Sequence, residues 1–381
     1  MSSLRANLFL VALGLSMLGL VMVYSATFRE VGTHYLFVRA GHIVGGVAVF
    51  FAVSRVRYTA WRRYAPALYV LVLISLILVL IPGIGVQVNG ARRWINLGPL
   101  DPQPAEFAKL AAVLVLSCAV ARLPAGSGLP FKPLAMVGAL FGLVLIEPDF
   151  GTSVIILSGI AGVLWASEIM TRVLVASGLL GLVAVAGMMV LEPYRRERFV
   201  TFLDPWAASD GSGYQVVQGM VAIKAGGVFG AGAGSGGQGP YVPEIGTDMI
   251  FALIGEELGL IGMVAVIAAF GFIALAGLKI ALNAPSVMAR CVAAGLTTML
   301  TVQATFNMGA AMVVLPLAGI TLPFVSYGGS SLLVCFAAVG ILYRISEDSE
   351  RAREIKPRAA KNPDSRRRHG GARHPRAVRG G

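Results

Sequence analysis

The feature that most constrains this chain is a succession of apolar runs, each about as long as a lipid bilayer is thick. A helix that crosses the hydrocarbon core needs about 20 mostly apolar residues. Ten stretches qualify, at roughly 7–25, 36–54, 65–84, 104–123, 131–147, 150–168, 172–191, 248–280, 286–314 and 322–344. The chain is 56% hydrophobic and only 13% charged, against the roughly 25% charged residues of soluble domains. The expected fold is therefore all-α: a polytopic membrane bundle of about ten transmembrane helices. The first run, Leu8 to Tyr24, is long enough to span, and no small-residue cleavage site follows it. It reads as a retained helix rather than a signal peptide.

Charge placement orients the bundle, because Lys and Arg collect in short cytoplasmic loops. With the N-terminus and Arg5 inside, the cytoplasmic loops carry Arg55, Arg57, Arg62 and Arg63, with Arg122, Lys132, Arg172, Lys279 and Arg290 flanking the others. Both termini are then cytoplasmic, and residues 1–345 form the transmembrane domain. The tail, 346–381, is rich in Arg, Pro, Gly and Ser and has too few apolar residues to build a core, so it reads as disordered. From Arg344 onward it carries 12 basic and 5 acidic residues. Such a tail suits anionic membrane lipid or an acidic partner. No folded nucleic-acid reader accompanies it, so nucleic acid is not expected as a partner.

Two outward loops break the charge rule. The loop 85–103 contains NGARRWINLGPLDPQ, with Arg92 and Arg93 beside Trp94. The loop 192–247 is the longest and carries Arg195, Arg196, Arg198 and Lys224. Basic residues kept on the outer face suggest an anionic ligand; headgroup snorkelling is the alternative. The longer loop is glycine-rich from Gly211 to Gly239, a backbone able to wrap closely round a ligand. Within it, VVQGMVAI (216–223) reads as a short amphipathic helix suited to the membrane interface. The three cysteines lie in apolar segments, and the four histidines make no metal-ligand spacing.

The stretch YVPEIGTDMIFALIGEELG (241–259) places Asp248 at the mouth of an apolar helix, with Glu256 and Glu257 inside it. An ionisable group in a membrane segment is costly and signals function by default. Thr247 or Asp248 is also positioned to cap that helix. Glu256 lies about two turns below Asp248 and Glu257 nearly opposite, so both are expected in buried ion pairs, with Lys109 or an Arg. Glu106 and Lys109 share one face of helix 104–123, where an ion pair competes with a role toward ligand.

Four stretches together resemble one family. They are NGARRWINLGPLDPQPAEFAKLA (89–111), EPDFGTS (147–153), the FLDPW…GSGYQ…TDMIFALIGEELG region, and NMGAAMVVLPLAGITLPFVSYGGSSLL (307–333). They resemble, in order, the motifs of the SEDS family, the FtsW/RodA/SpoVE group of bacterial envelope proteins. NGARRWI and RFVTFLDPW…GSGYQ are more similar to the division member FtsW than to the elongation member RodA. The chain departs from the family pattern at Gly246, where a His is common, and at Gly239, where a Lys is common. It departs also at Ala105, Ala318 and Thr321.

The resemblance implies a peptidoglycan glycosyltransferase in the bacterial cytoplasmic membrane that polymerises lipid II on the outer face. It also implies a class B penicillin-binding protein transpeptidase as partner, among other divisome or elongasome membrane proteins. Such a reaction needs a carboxylate to take a proton from an attacking sugar hydroxyl, and Asp248 matches the family's key Asp. The pyrophosphate leaving group needs cations: Arg92, Arg93 and Lys109, the last beside Glu106. Arg198, Gln218, Ser326 and Tyr327 lie within the matched motifs and complete the substrate-binding candidates. No tightly bound cofactor is expected. A divalent cation, Mg or Mn, suits a pyrophosphate between carboxylates, though no dedicated cage is readable. Two other readings are a lipid II flippase, since intramembrane acids and broken helices suit transporters, and a non-catalytic scaffold for the transpeptidase.

Overall fold

The computed structural model describes residues 2–88, 91–96, 101–124, 126–128, 130–168, 200–209, 211 and 213–360, with single positions 172, 175 and 187. The seventh expected span (172–191), Arg198 and the tail beyond residue 360 fall outside the described residues. The helices are α1 (Ser2–Val31), α2 (His34–Ser54), α3 (Trp61–Leu80), α4 (Pro104–Val120), α5 (Phe131–Ile146), α6 (Phe150–Ala166), α7 (Tyr214–Gly226), α8 (Ile250–Leu282), α9 (Val287–Ala311) and α10 (Gly329–Ala360). Nine of the ten expected spans therefore have their helix. Six described helices are long and apolar enough to cross a membrane.

Helices α4, α5 and α6 have only 17, 16 and 17 residues, about 25 Å at the α-helical rise. Pro104 opens α4, and the Glu147-Pro148 step closes α5. Asp149 then caps α6 by accepting from the Thr152 amide. Nearly every residue of α4 is buried, the signature of a helix that is apolar all round. It packs centrally against α3, α6 and α9. Between membrane helices close approach depends on small residues. A Cβ on Gly295 of α9 would sit 2.6 Å from Val163 and 2.8 Å from Val113, so α6, α4 and α9 meet at that glycine.

Between α3 and α4 two short strands, β1 (Gly85–Val88) and β2 (Ala91–Ile95), pair antiparallel with an irregularity after Val86. They place the first basic loop beside the α5–α6 break. The amphipathic segment around 216–223 is helix α7, and its buried face (Val216, Val217, Ala222) packs on α8.

The structure carries α10 past the boundary at 345, through Ala360. Charged pairs at helical spacing support the extension. Arg344 bridges Glu347 and Asp348 at 3.0 Å each, and Arg351 reaches Glu347 at 2.7 Å. Arg5 joins Glu350 at 2.9 Å, so the start of α1 and the end of α10 share one face.

Helix α8 is interrupted at Gly259, whose φ of 66° and ψ of −165° lie outside the helical region. The break frees two carbonyls and two amides, and the glycine-rich loop supplies partners for all four. The amides of Ala231 and Gly232 donate to the carbonyls of Glu256 and Glu257 at 2.9 and 3.0 Å. The amides of Leu260 and Ile261 donate to the carbonyls of Gly227 and Val228 at 2.9 and 3.3 Å. Unsatisfied backbone groups are costly in an apolar setting, so loop and break specify each other.

Candidate active site

Asp248 is half-buried in the turn that enters α8. The N-cap of the helix is Met249, whose own side chain makes no capping hydrogen bond. The Thr247 hydroxyl donates instead to the Glu244 carboxylate at 2.7 Å. The backbone around Asp248 is held at three successive carbonyls. Asn307 of α9 donates to the Asp248 carbonyl at 2.8 Å and to that of Ile320 at 2.7 Å. The Ser326 hydroxyl donates to the Thr247 carbonyl at 2.6 Å. The Tyr327 amide donates to the Gly246 carbonyl at 2.9 Å. The SYGG loop and the end of α9 thus fix the entry turn, and Ser326 and Tyr327 act on it directly. The Tyr327 ring packs edge-on against Tyr35, with centroids 5.0 Å apart.

One turn deeper on α9, Gln303 accepts from the Lys109 ammonium at 2.8 Å and donates to the Thr321 carbonyl at 3.0 Å. Lys109 also pairs with Glu106 at 2.7 Å, and both side chains are buried. The shared helical face therefore produces the intrahelical pair, set beneath the Asp248 turn. Asn307 and Gln303, four residues apart, connect the two levels.

Arg93 grips the α5–α6 break. Its Nε donates to the Glu147 carbonyl at 3.3 Å and its Nη2 to that of Pro148 at 2.6 Å. Arg92 makes no hydrogen bond or ion pair among the described residues. Gln103 ties the hairpin side to both motifs: its side-chain amide donates to the Asp149 carboxylate at 3.0 Å, and its backbone amide donates to the Ser330 hydroxyl at 3.0 Å. Gln218 is half-buried on α7 without such a bond among the described residues. Its neighbour Gln215 donates to the Pro243 carbonyl at 3.1 Å and links α7 to the Asp248 turn.

The expected ion pairs of Glu256 and Glu257 do not form among the described residues. Glu256 accepts from the Gln238 amide at 2.7 Å, and Glu257 accepts from the Gly234 amide at 3.0 Å and from the Ser25 hydroxyl. The glycine-rich loop wraps round carboxylates of its own chain, because its close-packed amides offer donors that these buried acids need. Asn307, Gln303, Gln103 and Gln215 were not singled out from sequence. The available signal was amides recurring at helical spacing in otherwise apolar segments.

A family profile, FTSW_RODA_SPOVE, described as cell cycle protein, matches residues 5–351. The chain belongs to the FtsW/RodA/SpoVE family. It is 35% identical to stage V sporulation protein E of Bacillus subtilis over 353 residues, covering 90% of this chain and 96% of that protein. It is 39% identical to the probable peptidoglycan glycosyltransferase FtsW of Coxiella burnetii over 370 residues, covering 91% and 97%. Among solved structures, a chain of a peptidoglycan synthase complex that coordinates polymerization and crosslinking superposes with a TM-score of 0.77 at 30% identity, covering 90% and 97%. The rod shape determining protein RodA of Thermus thermophilus gives a TM-score of 0.68 at 27% identity, covering 90% and 96%.

Proposed function

We infer that this chain is a peptidoglycan glycosyltransferase that polymerises lipid II at the outer face of the cytoplasmic membrane. The observation that carries the reading is the fixed Asp248 turn. A half-buried carboxylate stands in a turn whose three successive carbonyls, those of Gly246, Thr247 and Asp248, are each held by a hydrogen bond. Basic residues gathered in the opposite loops support placing this turn outside and both termini in the cytoplasm.

In the reaction a sugar hydroxyl oxygen bonds to an anomeric carbon as the bond from that carbon to the pyrophosphate oxygen breaks. Asp248 takes the hydroxyl proton, a contribution of about 10²–10⁴-fold for a well-placed base. The electron pair leaves on the undecaprenyl pyrophosphate. Arg92 is the cation of the hairpin left for phosphate oxygens, and Arg198 remains a second candidate. Arg93, Lys109 and Glu106 act from beneath, holding the α5–α6 break and the α9 column against which substrate rests. Gln218, Ser326 and Tyr327 line or support the same mouth. No group of three or more metal-ligating side chains exists among the described residues; were a divalent cation used, Asp248 would be the residue to hold it, and the ion would supply positive charge for the leaving pyrophosphate.

The finer role is division, on the strength of the FtsW-like NGARRWI and RFVTFLDPW motifs, with a class B penicillin-binding protein transpeptidase and other divisome membrane proteins as partners. Polymerisation is separated from transport in detergent, where no membrane divides two compartments. Purified protein with its cognate transpeptidase should convert lipid II to glycan strands with release of undecaprenyl pyrophosphate. Protein that is folded and complexed but leaves lipid II unchanged would return the flippase and scaffold readings to the front.

A further inference from the structure

Arg39 is fully buried in α2, five residues from the start of the helix. Among the described residues no carboxylate lies within ion-pair distance of it. Its Nη2 donates to two successive carbonyls, Phe324 at 2.6 Å and Val325 at 3.1 Å, while Nε and Nη1 have no partner. A buried cation without a counter-charge is a poor stabiliser. Inside a membrane bundle it marks function.

The two carbonyls belong to a strained segment. Phe324 has a φ of 66°, a conformation that non-glycine residues hold only when surroundings over-determine it. Three elements do so here. Arg39 binds the carbonyl of Phe324 itself, the Phe324 ring packs edge-on against Phe336 of α10 at 5.5 Å, and Gly19 of α1 lets Val325 approach. A Cβ at Gly19 would lie 2.7 Å from the Val325 Cα. The next two residues, Ser326 and Tyr327, are the ones that hold the carbonyls of Thr247 and Gly246. A continuous path therefore runs from the guanidinium through the strained turn to the residue beside Asp248.

We propose that Arg39 is a positioning residue for Asp248, acting through the 322–327 loop and never touching substrate. The proposal rests on the glycosyltransferase reading, but it predicts a structural signal that does not need activity. Hydrogen exchange is measured on full-length protein in complex with its transpeptidase, for wild type, Arg39→Met and Arg39→Lys. Arg39→Met should raise exchange in segments 320–327 and 244–249, leaving α3 and α5 unchanged. Arg39→Lys, which keeps a buried cationic donor, should restore protection at least in part. In lipid II polymerisation, Arg39→Met should lower kcat by about tenfold or more, as a small misplacement of a catalytic group does, with little change in KM. Unchanged exchange at 244–249, or a wild-type kcat, overturns the proposal, as does Lys behaving like Met in both readouts. Should Arg39→Met fail to fold, Gly19→Ala presses the same turn from α1 and must show the same two-segment exchange. An inactive wild type would defeat the glycosyltransferase reading while the exchange data still decide this one.

Discussion

Replacing Gly259 by Ala tests the interlock between α8 and the glycine-rich loop. Two costs follow from the structure. The backbone at φ 66° and ψ −165° lies in a region essentially reserved for glycine, where a side chain costs about 1–3 kcal/mol. The new Cβ would also stand 2.5 Å from the Val228 carbonyl oxygen and 2.6 Å from its carbon. Those atoms are backbone and cannot swing aside. Separating the loop from the helix break enough to relieve the clash loosens the four exchanged hydrogen bonds, each contributing about 0.5–1.5 kcal/mol net. Losing even one or two of them brings the expected destabilisation to about 2–4 kcal/mol. Gly14→Ala is the control. Nothing lies within 4 Å of a Cβ there, and Ala in a helix is favoured over Gly by roughly 0.5–1 kcal/mol. Thermal inactivation of both variants in the same detergent, with limited proteolysis of the loop 227–239, reads the difference. The Gly259 variant should inactivate at clearly lower temperature and be cut faster. Equal behaviour of the two variants would refute the interlock.

Three further outcomes follow. Breaking the buried Glu106–Lys109 pair from one side, by Glu106→Gln or Lys109→Met, should cost about 3–5 kcal/mol, and the double variant should melt above either single one, read by thermal unfolding in detergent. Asn307→Ala leaves the Asp248 and Ile320 carbonyls without their shared donor and should lower kcat about tenfold or more while changing KM little, as steady-state polymerisation would reveal. Arg92→Ala should raise KM for lipid II without lowering thermal stability, whereas Arg93→Ala, which abandons two backbone carbonyls, should lower stability first; comparing melting with KM for the pair separates them.

Much of the fold was readable because the bilayer sets one length for every span. Nine helices coincide with apolar runs, and their ends follow punctuation such as Pro104 and the Glu147-Pro148-Asp149 step. The end of α10 was not readable from hydropathy: past Ile345 it is sustained by ion pairs such as Arg344–Asp348, which composition scored as a disordered tail. The break in α8 was also hidden. In IGEELGLIG one glycine looks like another, and only the loop inserted beside Gly259 distinguishes it from Gly255. For the same reason Glu256 and Glu257 were assigned to ion pairs, when loop amides from another part of the chain satisfy them. At the site, Asp248, Ser326 and Tyr327 stood out as motifs, and the Glu106–Lys109 pair followed from helical spacing. Asn307, Gln303 and Arg39 did not stand out, because each acts through backbone carbonyls or a buried partner distant in sequence.

The most direct test of the account is lipid II polymerisation by the purified complex with the cognate transpeptidase, comparing wild type with Asp248→Asn and Asp248→Ala at matched folding and complex formation. The account predicts glycan strands from wild type and a loss of about 10²-fold or more in both variants. Variants that polymerise at the wild-type rate would contradict it, and Asp248 would then serve only to shape the turn.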